Sequence, residues 1–340
     1  MSVMRALLSM KWSFLITIVS IIAVLLGMGP AAALTTMILI AIEIAFSFDN
    51  AILNAKILEK LSGLWQKLFL TVGVVLAIFG MRILFPIALV ALAAHIPWHQ
   101  VVNLALNQPA EYARHLQEAH VPLSAFGGGF LLSLALFFFF DHKREVLWLW
   151  RIERPLQKIG GSWWVPTLIA LLIVGITAII PANHHLSETL RIGAFGVVSY
   201  TAIHLFIQGL NNLVGNPKSG LYSGWAAFVV FMYLQVLDAS FSFDGVLGAF
   251  AITKDVVLIA VGLGVGAIWV RSLTVYMVKH KVLEAMIYLE HGAHYAILAL
   301  ALALLASIVI DIPDAVTGII GMGVIVSAIM ASKKVAVVKH

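Results

Sequence analysis

Cysteine is absent from the 340 residues, which excludes disulfides, thiolate metal sites and thiol catalysis. Charge is scarce as well. Asp, Glu, Lys and Arg make up 11% of the chain against 62% hydrophobic residues, about half the charged share of an ordinary soluble domain. No nucleotide-binding glycine loop, Ser-His-Asp arrangement or metalloprotease spacing occurs in a suitable context. An enzyme is therefore not expected, and with no ATP site any transport is driven by ion gradients or is passive. The net charge of +5 is no nucleic-acid signal, because the basic residues lie in short loops, as orientation in a membrane requires.

The chain offers instead a succession of apolar runs long enough to cross a bilayer. It reads as an all-α polytopic membrane protein with nine or ten transmembrane helices. The expected spans are about 13–29, 32–54, 66–94, 122–140, 163–181, 189–210, 222–246, 255–278, 289–310 and 313–331. Pro86 predicts a kink or tilt in the long third span. Only "DIPD" at 311–314 separates the last two, so the last is either a hairpin partner or a partial span. The first run competes between a signal peptide cut near "PAAALT" and a retained span. The retained span is preferred, since the next begins at once.

With the N-terminus in the cytoplasm, only Arg114, Arg191 and Lys254 fall outside, and Arg82 and Arg271 sit within spans. The rest of the 21 basic residues lie on inside segments, a strong positive-inside signal. An inner, cytoplasmic membrane with both termini cytoplasmic is expected. The outer segment His95–His120 carries His95, His99, Glu111, His115, Glu118 and His120. It reads as a solvated loop with a short amphipathic helix, or as a weak divalent-metal surface. The inner segment 141–158, with Trp148 and Trp150, reads as an interfacial helix.

Two strings stand out: "EIAFSFDNAI" at 43–52 and "DASFSFDGVL" at 238–247. Aligned, Glu43 falls on Asp238, Ser47 on Ser242 and Asp49 on Asp244, at a constant offset of 195. Downstream, "LTVGVVLAIFGMR" (70–82) resembles "IAVGLGVGAIWVR" (259–271), with Gly73 and Gly262 each nine residues before Arg82 and Arg271. A weaker pairing joins "FGGGF" (126–130) to "HGAHY" (291–295). In the span layout the two acid-bearing helices run in opposite directions, which predicts an inverted-topology repeat with a site between its halves. The expected organisation is one transmembrane domain over 1–340. Within it, 1–30 is a peripheral first helix, 31–140 repeat one, 141–220 a linker with the interfacial helix and two spans, and 221–331 repeat two.

An ionised carboxylate at the centre of a spanning helix costs about 2.5–3.5 kcal/mol on insertion scales. Glu43, Asp49, Asp238 and Asp244 therefore need a bound cation, a buried partner or a proton. Glu43, Ser47, Asn50 and Asn54 share one helix face, as do Asp238, Ser242 and Gly245. Asp49 points about 120° from Glu43 on a straight helix, so either it faces another partner or the helix unwinds at Ser-Phe-Asp. Converging carboxylates, hydroxyls and amides would suit a hard cation such as Mn, Mg or Ca. A proton relay, or simple pairing with Arg82 and Arg271, are the other readings. Glu290, His291 and His294 open the ninth span. HxxH is a weak motif, read as a proton or metal relay against a hydrogen-bonded interface histidine. His204, alone in an apolar helix, reads as structural, and the glycines of "VGLGVGAIW" (261–269) as packing sites.

At these residues the chain resembles the TerC family of integral membrane proteins, within the LysE superfamily, in the branch labelled only as a domain of unknown function. "EIAFSFDNAILNA", "DASFSFDGVLGAFAIT", "VRSLTVY" and "YLEHGAHYAILAL" carry the likeness, which covers nearly the whole chain. It implies metal-ion efflux, chiefly of Mn(II), with Glu43, Asp49, Asn50, Asp238 and Asp244 at the ion site. Ser47 and Ser242 would assist, and Arg82 and Arg271 would serve structure or gating. The family name comes from tellurite resistance. Gly245 stands where the first repeat has Asn50, leaving the second half one side-chain ligand short. The expected function is export of divalent cations, Mn(II) first among them, by alternating access, with protons as a candidate counter-ion. The alternative is a non-transporting scaffold that delivers or senses metal. Expected partners are the metal ion and membrane lipid and no nucleic acid, with self-association left open.

Overall fold

A computed structural model describes residues 10–94, 96–214, 221–253, 255–310 and 312–338; within its helices the side chains at 85, 89, 92–94, 210–214, 240, 242–244, 247, 251, 314–315 and 336–338 are outside the description. The described chain is all-helical, with no strand. In order, the helices are α1 (Lys11–Met28), α2 (Pro30–Phe46), α3 (Phe48–Leu58), α4 (Gly63–Leu70) and α5 (Val72–Val75). A π-helical stretch, Leu76–Leu84, leads into α6 (Phe85–Ala94), α7 (Trp98–Asn107), α8 (Pro109–Glu118) and α9 (His120–Phe140). Then come α10 (Trp150–Ile159), α11 (Trp164–Ile179), α12 (Leu186–Val214), α13 (Gly224–Ile252), α14 (Val256–Lys279), α15 (Val282–Ala285), α16 (Leu289–Ser307) and α17 (Asp314–Val338).

Among the described residues, seven helical stretches are long and apolar enough to cross a membrane, and up to nine if each bent pair is one span. The bent pairs are α2 with α3, at 51°, and α10 with α11, at 111°. Gly224–Ala239 is a shorter apolar helix within α13. The final helix, α17, has 25 residues, enough length for a full span rather than a partial one.

The local causes are visible in the sequence. Gly29 takes φ +88°, a conformation open to glycine, and Pro30 follows at the first helical position of α2. Pro86 has no N–H to give its preceding turn, and the widened Leu76–Leu84 turns stand immediately before that region. The expected irregularity of the third span is thus real, but it begins at Leu76, more than two turns before the proline. The segment expected outside forms two short helices, α7 and α8. In it Arg114 pairs with Glu111 at 3.5 Å and with Glu118 at 3.8 Å, and His115 meets Glu118 at 2.9 Å, largely at the surface. His95 lies outside the described residues.

The chain divides into two compact units: Met1–Ala119 with Phe231–His280, and His120–Val230 with Lys281–His340. In the first, α14 packs on α2, α3 and the π-helical stretch. The peripheral α1 docks on α14 through Phe14 against Trp269, at 4.5 Å between ring centres, and through Ser13 Oγ to Ser272 Oγ at 2.7 Å. In the second, buried α9 packs against α11, α12 and α16.

Candidate functional site

Ser47 closes α2 with φ −96° and ψ +16°, and α3 starts at the next residue. This is the break anticipated at Ser-Phe-Asp. The second string does not repeat it: α13 runs unbroken from Gly224 to Ile252 through position 244. Of the two strings, only the first unwinds at Ser-Phe-Asp. No proline or glycine accounts for the break, since Phe46, Ser47 and Phe48 are ordinary helix residues; the bend comes with burial of Glu43 and Asp49 on either side of it.

Both strings still converge inside the first unit. Glu43, 4% exposed, pairs with Arg82 and accepts the Ser47 hydroxyl at 3.2 Å. Asp238, 5% exposed, pairs with Arg271 at 3.0 Å and accepts the Asn50 amide Nδ2 at 3.0 Å. Each arginine is anchored further. Arg82 Nη1 donates to the Ala77 carbonyl at 2.8 Å, five residues back along the π-helical stretch. Arg271 donates to the Phe69 carbonyl at 3.3 Å and the Gln235 side chain at 3.4 Å, and its guanidinium lies over the Phe69 ring, 4.2 Å from the ring centre. The Asp49 carboxylate is buried and accepts the Asn50 backbone N–H at 2.8 Å. It meets no arginine among the described residues.

Glycines let these groups approach. A Cβ on Gly73 would stand 2.6 Å from Arg271 Nη1; one on Gly266 would stand 2.5 Å from Glu43 Cβ and Cγ; one on Gly262 would stand 2.5 Å from Leu39 Cβ. Positions 39 and 43 thus climb with 262 and 266, so α2 and α14 run parallel. Positions 43 and 50 descend against 245 and 238, since a Cβ on Gly245 would stand 3.0 Å from Glu43 Oε2 and Asn50 bonds Asp238. The α2–α3 segment and α13 are therefore antiparallel. The contacts are also reciprocal: the offset of 195 turns Glu43–Gly245 into Asp238–Asn50, and Glu43–Arg82 corresponds to Asp238–Arg271.

A model of the protein family described as "Protein of unknown function (DUF475)" matches residues 48–337. The chain belongs to this family. No curated protein and no solved structure matches. The DUF475 match takes in Asp49, both arginines and Asp238, and leaves out Glu43 and Ser47.

The side chains of Ser242 and Asp244 lie outside the described residues, so the site holds Glu43, Ser47, Asp49, Asn50, Asp238, Arg82 and Arg271. Among the described residues no group of three or more His, Asp or Glu is placed to hold a metal ion. Glu43 and Asp238 already have arginine partners, so the pairing reading applies to these two acids, and among the described residues Asp49 is the acid of the two strings that it leaves over. Sequence reading missed Gln235, 3% exposed beside Arg271. Its signal was position: three residues before Asp238, on the same helix face.

Glu290, His291 and His294 belong to the second unit. His291 Nε2 lies 3.0 Å from Arg144 Nη1, 2.9 Å from the Val146 carbonyl and 3.3 Å from Glu153 Oε2. His294 Nδ1 donates to the Glu290 carbonyl at 2.8 Å, and its ring stacks on Phe138 at 3.6 Å. The two histidines thus take different partners rather than one shared ligand. Glu153, in α10, is fully buried, with Arg144 at 3.2 Å, Tyr295 Oη at 3.3 Å and the Leu149 N–H at 3.1 Å. This cluster was not anticipated, because nothing local separates Glu153 from the solvated charges around it. His204 has an ordinary role, within reach of Gln208 at 2.9 Å and against Phe137.

Proposed function

We propose that this protein exports divalent metal ions, Mn(II) first among them, across a cytoplasmic membrane by alternating access around the acids of α2–α3 and α13. The observation that carries the reading is the reciprocal pair of buried acid–arginine contacts, with Asp49 left without a counter-ion among the described residues. Reciprocal antiparallel contacts are what an inverted-topology repeat produces, and transporters place their sites between such repeats. A buried carboxylate without a cationic partner is costly in a membrane and gains most from a cation or a proton. The oxygen chemistry suits a hard divalent ion. The resemblance to the TerC family and the LysE superfamily points the same way.

In this reading the arginines neutralise Glu43 and Asp238 while cargo is absent. Among the acids, arriving metal binds Asp49 first and draws the paired carboxylates off their guanidinium groups, and a returning proton resets Asp49. Asp49→Asn keeps the shape and removes the charge. It should abolish Mn(II) flux into inverted vesicles or proteoliposomes while the purified protein remains monodisperse. Flux equal to wild type would remove Asp49 from the mechanism.

A second reading is favoured by the commitment of both arginines to acids: a non-transporting scaffold that delivers or senses metal, with the charges serving only structure. Absence of metal-dependent flux from liposomes under every imposed gradient selects it.

A further inference from the structure

On α3, two amide oxygens stand one helical turn apart, and both are buried without a hydrogen-bond partner among the described residues: Asn50 Oδ1 and Asn54 Oδ1. The residues are 2% and 1% exposed. The orientation of Asn50 follows from its partner. Its Nδ2 donates to Asp238 at 3.0 Å, so its oxygen is turned away from that carboxylate. The antiparallel register that sets 50 against 238 sets 54 against 234, beside Gln235, whose Nε2 is also buried and unpaired. Unpaired buried acceptors are rare in folded chains and ask for an explanation. Two on one face, spaced by four residues, with a carboxylate beside the first, make a set of hard oxygens for a partly dehydrated cation.

We infer that Asn50 and Asn54 form a neutral-oxygen station for the cargo cation that starts beside the acids at Asn50 and reaches one helical turn along α3 to Asn54. This deepens the proposed function and rests on it. Neutral amide oxygens hold a hard cation less strongly than carboxylates do, so the ion rests there briefly and moves on to Asp49. Asn54 thereby sets the rate at which cations reach the acids and the preference for oxygen-seeking ions. In the proposed orientation the station lies on the cytoplasmic side of the acids, since α3 ends near Lys56 and Lys60. The competing explanation is a buried water bridging Asn54 and Gln235.

The test uses the full chain. Mn(II), Mg(II) and Ca(II) binding is measured in detergent, and Mn(II) flux in proteoliposomes, for wild type, Asn54→Leu and Asn54→Asp. Asn54→Leu removes the oxygen and should slow flux about tenfold or more. Asn54→Asp keeps the shape, and so protects folding. By adding a charge to the station it should tighten Mn(II) binding about tenfold and slow release. Slow flux in Asn54→Leu together with tighter binding in Asn54→Asp supports the station. Wild-type behaviour in both variants overturns it, as does slow flux in Asn54→Leu with unchanged binding in Asn54→Asp, which is the mark of packing or of a bridging water. Should wild type bind none of the three metals, the proposed function falls and the station falls with it. A wild type that binds metal while the Asn54 variants match it sinks the station alone.

Discussion

Glu43 shows how a single acid is accommodated in an apolar segment. Its carboxylate is matched by Arg82 and the Ser47 hydroxyl, and its aliphatic stem lies where a side chain on Gly266 would stand. A methyl group at 266 has no free volume there. Gly266→Ala should therefore destabilise the protein by about 1–3 kcal/mol through overpacking, read as lower thermal stability in detergent, and should disturb the Glu43–Arg82 pair. Gly175→Ala is the control, because a Cβ there meets nothing within 4 Å; its stability should equal or exceed that of wild type, alanine being the better helix former. Equal losses from the two substitutions would argue against a specific fit at Gly266. The arginines follow the same logic. Removing one partner of a buried pair leaves an uncompensated charge, worth about 3–5 kcal/mol, so the four paired residues serve stability whatever else they do.

Among the helices, the contrast between α2–α3 and α13 is the most informative. The same Ser-Phe-Asp letters are bent by 51° in one and continuous in the other, so tertiary surroundings and not local propensity decide the break. In the second unit, α10 turns sharply away from α11 and is held by Glu153 beneath it. Burial opposes ionisation of Glu153, but the hydrogen bond from His291, the Leu149 N–H and the charges of His291 and Arg144 outweigh it. Its pKa is accordingly lowered from the ordinary 4.5. A carboxylate with a depressed folded-state pKa adds stability that is fully present above the unfolded pKa and is lost as pH falls through the lower folded value. Measured against a denatured control that cancels pepsin's own pH dependence, cleavage of the 141–159 segment in wild type should rise as pH falls below about 4.5. Glu153→Gln should expose the same segment to trypsin at Arg151 and Lys158 at neutral pH. Resistance of that variant at neutral pH would show that α10 is held by its apolar face alone.

For the molecule as a whole, the absence of cysteine gives a clean route to orientation. Single cysteines at Lys158 and Glu111, both exposed, should react with a membrane-impermeant maleimide from opposite sides, position 158 from the cytoplasm and 111 from outside. Labelling of both from one side would overturn the span layout. The all-helical, membrane-type architecture was legible in the amino-acid order. Apolar length alone forces helices in a bilayer, since every backbone N–H and C=O must be satisfied within its own segment, and the repeat at 43–52 and 238–247 was plain in the letters. Several things were not. Which acids take an arginine, that Asp49 does not, that Gly73 and Gly266 make room for Arg271 and Glu43, and that Glu153 is a buried anchor all depend on contacts between segments distant in the chain. Helix formation in an apolar setting is a local demand, readable residue by residue; the neutralisation of a buried charge is set by whichever group the packing brings within a few ångströms, and that is known only once the helices are assembled.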